Sequence, residues 1–147
     1  LSGRRLQYLL DTNVLSETRK KQADAQVIRF LSSADPSTLY ISVLTLGELR
    51  KGVALKQHSD PDAAKQIGHW VDGLEYSFAD RILGIDAATA RLWGELSAQR
   101  PRPVIDTLLA ATALSHELTF VTRNMSDVSD IQMQRLDPWK SNAAGAK

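Results

Sequence analysis

Four carboxylates stand at or just beyond the ends of short apolar runs. Asp11 closes the run over residues 6–10, and Glu48 lies in the helical stretch that follows the run over 39–43. Asp106 is placed just inside a helix expected after Pro103, and Asp127 follows the run over 119–122 by way of Arg123 and Asn124. An open parallel sheet binds ligands outside the carboxyl ends of its strands, so such an architecture could bring all four to one edge. Oxygen ligands of this kind suit a hard divalent cation, Mg²⁺ or Mn²⁺, which keeps several waters and takes the rest of its shell from carboxylates and a substrate phosphate. Like charges at ~4 Å repel by about 1 to 4 kcal/mol per pair, so a cluster without a cation would work against folding. With one, water is acidified and oriented for in-line attack on a phosphodiester.

Each acid also has a plainer reading. Asp11 could simply cap a short helix over 13–17, and Glu48 could be a solvated helix residue at the border of the buried face. Asp106 falls in a first helical turn, where the macrodipole favours an acid. Asp127 could cap the next turn, and Asp130 could exchange roles with it. What singles out a site is the joint placement.

The elements that would position these groups follow from hydrophobic period. Short apolar runs over 6–10, 39–43, 82–85, 119–122 and 131–136 read as strands. Helical spacing fills 23–32, the stretch from Leu44 through Val53, and then 61–78, 87–99 and 104–116. Strands alternating with helices predict an α/β fold, a three-layer α/β/α sandwich around a mostly parallel sheet of four to five strands. Arg100-Pro101-Arg102-Pro103 supplies a helix stop. The length of 147 residues gives one domain, expected over 6–139, with 1–5 a vector-derived remnant or disordered start and 140–147 a disordered tail.

Composition narrows the function classes. There is no cysteine, which excludes cystine scaffolds, thiolate metal centres and a cysteine nucleophile. Hydrophobic residues at 43% and charged residues at 24% are ordinary globular values. Eighteen Lys and Arg against seventeen Asp and Glu leave +1, too little to grip nucleic acid by bulk charge, so such a partner would need local patches. No apolar run approaches the ~20 residues of a membrane span, and no export signal is expected at the start.

Read in order, Leu9-Leu10-Asp11-Thr12-Asn13-Val14-Leu15, Ser42-Val43-Leu44-Thr45-Leu46-Gly47-Glu48-Leu49, Val104-Ile105-Asp106-Thr107-Leu108-Leu109-Ala110-Ala111 and Val121-Thr122-Arg123-Asn124 resemble the PIN-domain superfamily, closest to its VapC-type, FitB-like toxins. The resemblance implies a Mg²⁺- or Mn²⁺-dependent endoribonuclease, the toxin of a type II toxin–antitoxin pair. It also implies a homodimer in the cytoplasm, held in check by a cognate antitoxin whose C-terminal segment occupies the groove. On the matching positions, Asp11, Glu48 and Asp106 would hold the cation directly or through water, and Asp127 would complete the shell or orient the attacking water. Many relatives follow the Thr-Arg-Asn motif with Asp-Phe, whereas here Asp127 precedes Val128. Thr12, Asn13, Thr122 and Asn124 are candidates for hydrogen bonds that orient the acids, with turn and cap chemistry as the alternative. Arg19, Lys20, Arg50 and Arg123, together with Arg100 and Arg102, are the candidates for RNA phosphate; the alternative is a solvated face.

Other features point elsewhere or nowhere. Trp70, Trp93 and Trp139 read as core or dimer packing. His58, His69 and His116 lack ligand spacing. Gly47 to Gly52 has phosphate-loop spacing but lacks the Lys-Ser/Thr that must follow. A non-catalytic RNA- or protein-binding module on the same fold is the competing reading, and a receiver domain with Asp86 as phosphoacceptor is a third. Which RNA is cut, the choice between Mg²⁺ and Mn²⁺ and the dimer geometry are not written in these residues.

Overall fold

The computed structural model describes residues 5–140. The expectations for a loose start and tail therefore lie outside the described residues, apart from Arg5, which donates to Asp35 at 2.8 Å, and Lys140.

Five strands, β1 (Tyr8–Leu10), β2 (Leu39–Ser42), β3 (Ile82–Leu83), β4 (Thr119–Val121) and β5 (Arg135–Leu136), form one sheet in the order β3-β2-β1-β4-β5. Every pairing in it is parallel. Side chains alternate across the sheet, as the two-residue period of a strand demands. Leu9 and Phe120 enter one core with Leu109, Ala110 and Ala113, while Leu10, Ile41 and Val121 enter another with Val14 and Val27. Helices α1 (Thr12–Glu17), α2 (Ala25–Ser33), α3 (Val43–Ser59), α4 (Pro61–Ser77), α5 (Ala87–Gln99) and α6 (Val104–Ser115) supply the covering layers. The three central strands β1, β2 and β4 are buried from both sides, which is why they read as continuous apolar runs rather than alternating ones. The expected three-layer sandwich is the fold observed.

Several strands are shorter than their apolar runs, each for a local reason. β2 stops at Ser42 because that hydroxyl accepts from the Leu44 amide at 3.0 Å, capping α3 and turning Val43 into helix. β3 stops at Leu83, and Asp86 then caps α5 by accepting from the Thr89 amide at 2.9 Å. The run from 131 pairs only at its end, because the Arg135 guanidinium folds the preceding chain back by donating to the carbonyls of Ile131 (2.7 Å) and Val128 (3.2 Å). Trp70 and Trp139 pack against one core and Trp93 against the other, as expected of packing residues.

Strand order decides where a site can form. The chain builds outward from β1 through β2 to β3 on one side, and through β4 to β5 on the other. The reversal lies between β1 and β4, where the Asp11 amide donates to the Val121 carbonyl at 2.9 Å. A crevice outside the strand ends at such a reversal is the usual ligand position.

Candidate active site

Asp11 sits at the carboxyl end of β1 with only 4% of its surface exposed. Its two oxygens are divided between neighbours: Oδ1 accepts from the Thr12 amide at 2.7 Å, and Oδ2 accepts from the buried Thr122 hydroxyl at 2.7 Å. The plain reading of Asp11 holds, since the first bond caps α1. The second reaches across the strand reversal to the end of β4, which a cap does not require. Burial raises the Asp11 pKa, the two hydrogen bonds pull it back, and the charge of Glu48 raises it further.

Asp106 occupies the first turn of α6 and carries the plainest sign of crowding. Its pKa is pushed up to about 6, first by burial, then by the charge of Asp11, by a hydrogen bond with Asp127 and by the charges of Asp127 and Glu48. One titration thus senses the three other acids, contributed by three separate chain segments. Glu48, on the exposed side of α3, accepts from the Thr12 hydroxyl at 2.5 Å, and Thr12 also lies 3.2 Å from the Thr45 hydroxyl. Asp127 lies in a 3₁₀ turn (Ser126–Val128) after β4. Asp130 does not join this group. Arg100 and Arg102 clamp it, at 2.9 Å each for their closest contacts, and hold its carboxyl well below the usual range.

The other expected residues divide. Thr122 accepts from the Asn124 amide at 3.0 Å while donating to Asp11, so Asn124 contributes through its backbone, and its side chain is exposed. Asn13 is exposed on α1. Among the basic candidates, Arg50 is turned away from the role expected of it. Its guanidinium meets Asp72 and Glu75 at 2.6 Å each and ties α3 to α4. Lys20 pairs with Glu17 at 2.9 Å, and Arg100 and Arg102 are held by Asp130. Arg19 and Arg123 lie instead over the rings of Trp70 and Trp139, at 5.4 and 4.6 Å, which orients the charges. Asp86, the receiver-type alternative, is a helix cap beside an edge strand.

Sequence reasoning missed Thr45 and Glu17. Thr45 is fully buried and touches Thr12; a threonine three residues before Glu48 on the same helix was the available signal. Glu17, 5% exposed, accepts from the Asp24 amide at 2.8 Å and braces the chain after α1. Nothing in the local sequence marks it as buried.

The donor set consists of carboxylate and hydroxyl oxygens. Among the described residues, no group of three or more His, Cys, Asp or Glu side chains is close enough to cage an ion directly. The arrangement suits a cation that keeps most of its waters and takes one or two carboxylates, as Mg²⁺ does. Asp106, whose ionisation is opposed by three neighbouring acids, is the group such an ion would relieve.

Comparison with known proteins gives a consistent picture. The PIN domain family matches residues 8–126. Toxin FitB of Neisseria gonorrhoeae is 33% identical over 140 residues, covering 89% of this chain and 97% of that protein. VapC ribonuclease Y4jK of Sinorhizobium fredii is 32% identical, covering 90% and 97%. The crystal structure of FitAcB from Neisseria gonorrhoeae superposes with a TM-score of 0.82 at 30% identity, covering 90% of this chain and 98% of that one.

Proposed function

The chain belongs to the PIN domain family, and from that premise we propose that it is a divalent-metal-dependent endoribonuclease, the toxin half of a type II toxin–antitoxin pair. The single observation that carries this reading is the joining of acids from separate segments beside the strand reversal: Thr12 hydrogen-bonds both Asp11 and Glu48, and the charges of Asp11, Glu48 and Asp127 all bear on Asp106. The relatives named as a toxin and as a ribonuclease support it. A cognate antitoxin, a second copy of this chain and RNA are the partners that go with it. A cytoplasmic location goes with it too, since intracellular RNA is the substrate; no described helix is long and apolar enough to cross a membrane.

A cation held at these oxygens supplies Lewis acidity to water and phosphate; Mg²⁺ or Mn²⁺ fits the all-oxygen donors. The protein does the rest. Thr122 and the Thr12 amide orient the two oxygens of Asp11. Asp106, its pKa raised by burial and by the neighbouring acids, is the carboxyl whose charged form a bound cation would favour. Arg19 and Arg123, lying over tryptophan rings, are the side chains offered to RNA phosphates.

The purified protein is expected to cut RNA with Mg²⁺ or Mn²⁺, to stop with EDTA, and to lose activity in Asp11→Ala and Asp106→Ala. Full activity in both variants would remove the pocket from the chemistry. RNA binding that persists in EDTA, with no cleavage under any metal, would favour the non-catalytic binding module.

A further inference from the structure

Thr12 is where two of the acids meet. Its amide donates to Asp11 Oδ1 at 2.7 Å, a bond that any residue other than proline could make at this position. Its hydroxyl does something that no other side chain among the described residues does: it reaches across to α3 and Glu48 Oε1 at 2.5 Å. A hydroxyl has one proton, and Thr45 Oγ1, at 3.2 Å, is the second acceptor within range. The nearer, charged acceptor takes the proton, since a bond to a carboxylate is shorter and roughly twice as strong as one between neutral groups.

Thr45 sets the background for that bond. Helical threonines commonly donate to the carbonyl four residues back. Thr107 and Thr112 of α6 do so, at 2.6 and 2.8 Å. Thr45, fully buried in the first turn of α3, has Ile41 of β2 four residues back, so no helical carbonyl competes for its hydroxyl, which lies 3.2 Å from that of Thr12. Glu48 is exposed, and a free glutamate on a helix surface samples many rotamers. Here the Thr12 hydroxyl offers one of those arrangements a hydrogen bond.

We propose that Thr12 is a positioning residue: its hydroxyl, backed by Thr45, fixes the Glu48 carboxylate beside Asp11, so that acids from β1 and α3 are presented to one cation. The inference rests on the metal-dependent nuclease reading above and adds to it the residue that couples two of the acids.

Valine and serine at position 12 separate the hydroxyl from everything else, because both keep the amide bond to Asp11. Thr12→Val is expected to weaken Mn²⁺ binding, measured by calorimetry on the intact chain, by about 10-fold, the lower end for losing a hydrogen bond that orients a ligand. Thr12→Ser should stay within about twofold of wild type on the same scale. In a Glu48→Ala background, Thr12→Val should add no further loss. Where wild type binds Mn²⁺, valine binding it equally well, serine losing as much as valine, or additive losses would each overturn the proposal. Thr12→Ala repeats the comparison if the valine variant does not fold. Crystal structures of metal-free wild type and Thr12→Val give a readout independent of the nuclease reading. A displaced Glu48 carboxylate supports the positioning role even if wild type neither binds Mn²⁺ nor cuts RNA, and an unmoved one overturns it.

Discussion

Asp106 shows how much one residue's chemistry owes to its neighbours. In sequence it is an acid in a helix's first turn, where the macrodipole should favour its charged form. In the fold, burial and three other acids overcome that preference and raise its pKa from 3.8 to about 6. The sign of the consequence is fixed. Below about pH 4 the group is protonated whether folded or not; between there and about pH 6 the folded chain holds the extra proton, so stability falls as pH rises. Asp11, also raised, acts in the same direction. In EDTA the melting temperature is therefore expected to decline from about pH 4.5 to 6.5, and Asp106→Asn should flatten the decline. Mg²⁺ should restore stability at pH 7 and do little at pH 5. An Asp106→Asn variant that melts with the wild-type pH slope would show that the acids do not interact as described.

At the scale of elements, the site depends on holding the 3₁₀ turn that bears Asp127 against the start of α6. The proline-containing segment Arg100-Pro101-Arg102-Pro103 reads in the sequence as a helix stop, and it is one, lying between α5 and α6. The sequence does not tell that its two arginines reach forward to Asp130. Arg102 donates to both Asp130 oxygens, at 3.0 and 2.9 Å, and to the Leu96 carbonyl at 2.8 Å, with its side chain 1% exposed. This clamp joins the two segments that carry Asp106 and Asp127. Asp130→Asn should loosen it and let the Asp106 pKa fall back from about 6 towards 3.8, which an NMR titration of the Asp106 carboxyl would read directly. An unshifted titration would mean that the turn is held by other contacts. The same scale explains the trimmed strands: apolar runs mark what is buried, while Ser42 and Asp86 decide where pairing gives way to helix.

For the molecule as a whole, a net charge of +1 leaves no broad field to draw RNA in. Lys20, Arg50, Arg100 and Arg102 each have a carboxylate partner within the chain. Affinity for RNA should therefore come from few contacts and fall gently with salt, by a log–log slope of roughly 0.7 per phosphate on a single strand. Measured with the Asp106→Asn protein in Mg²⁺, Arg123→Ala should reduce the slope by about that amount, and Arg50→Ala should leave it unchanged. A slope equally reduced by Arg50→Ala would mean that its bonds to Asp72 and Glu75 open to RNA.

The sequence alone determined the alternation of strand and helix, because burial from both faces imposes apolar runs and a helical period on any chain that adopts this architecture. It also determined which acids lie near strand ends, since the four motifs stand in fixed order along the chain. Tertiary structure decided what those acids experience: that Asp127 and not Asp130 bears on Asp106, that Thr12 spans Asp11 and Glu48, and that Arg50 joins two helices. The physical reason is range. Period and capping are set by neighbours a few residues apart, whereas a pKa or an ion pair is set by groups up to 111 positions away in sequence, as between Thr122 and Asp11, that only folding brings within 3 Å.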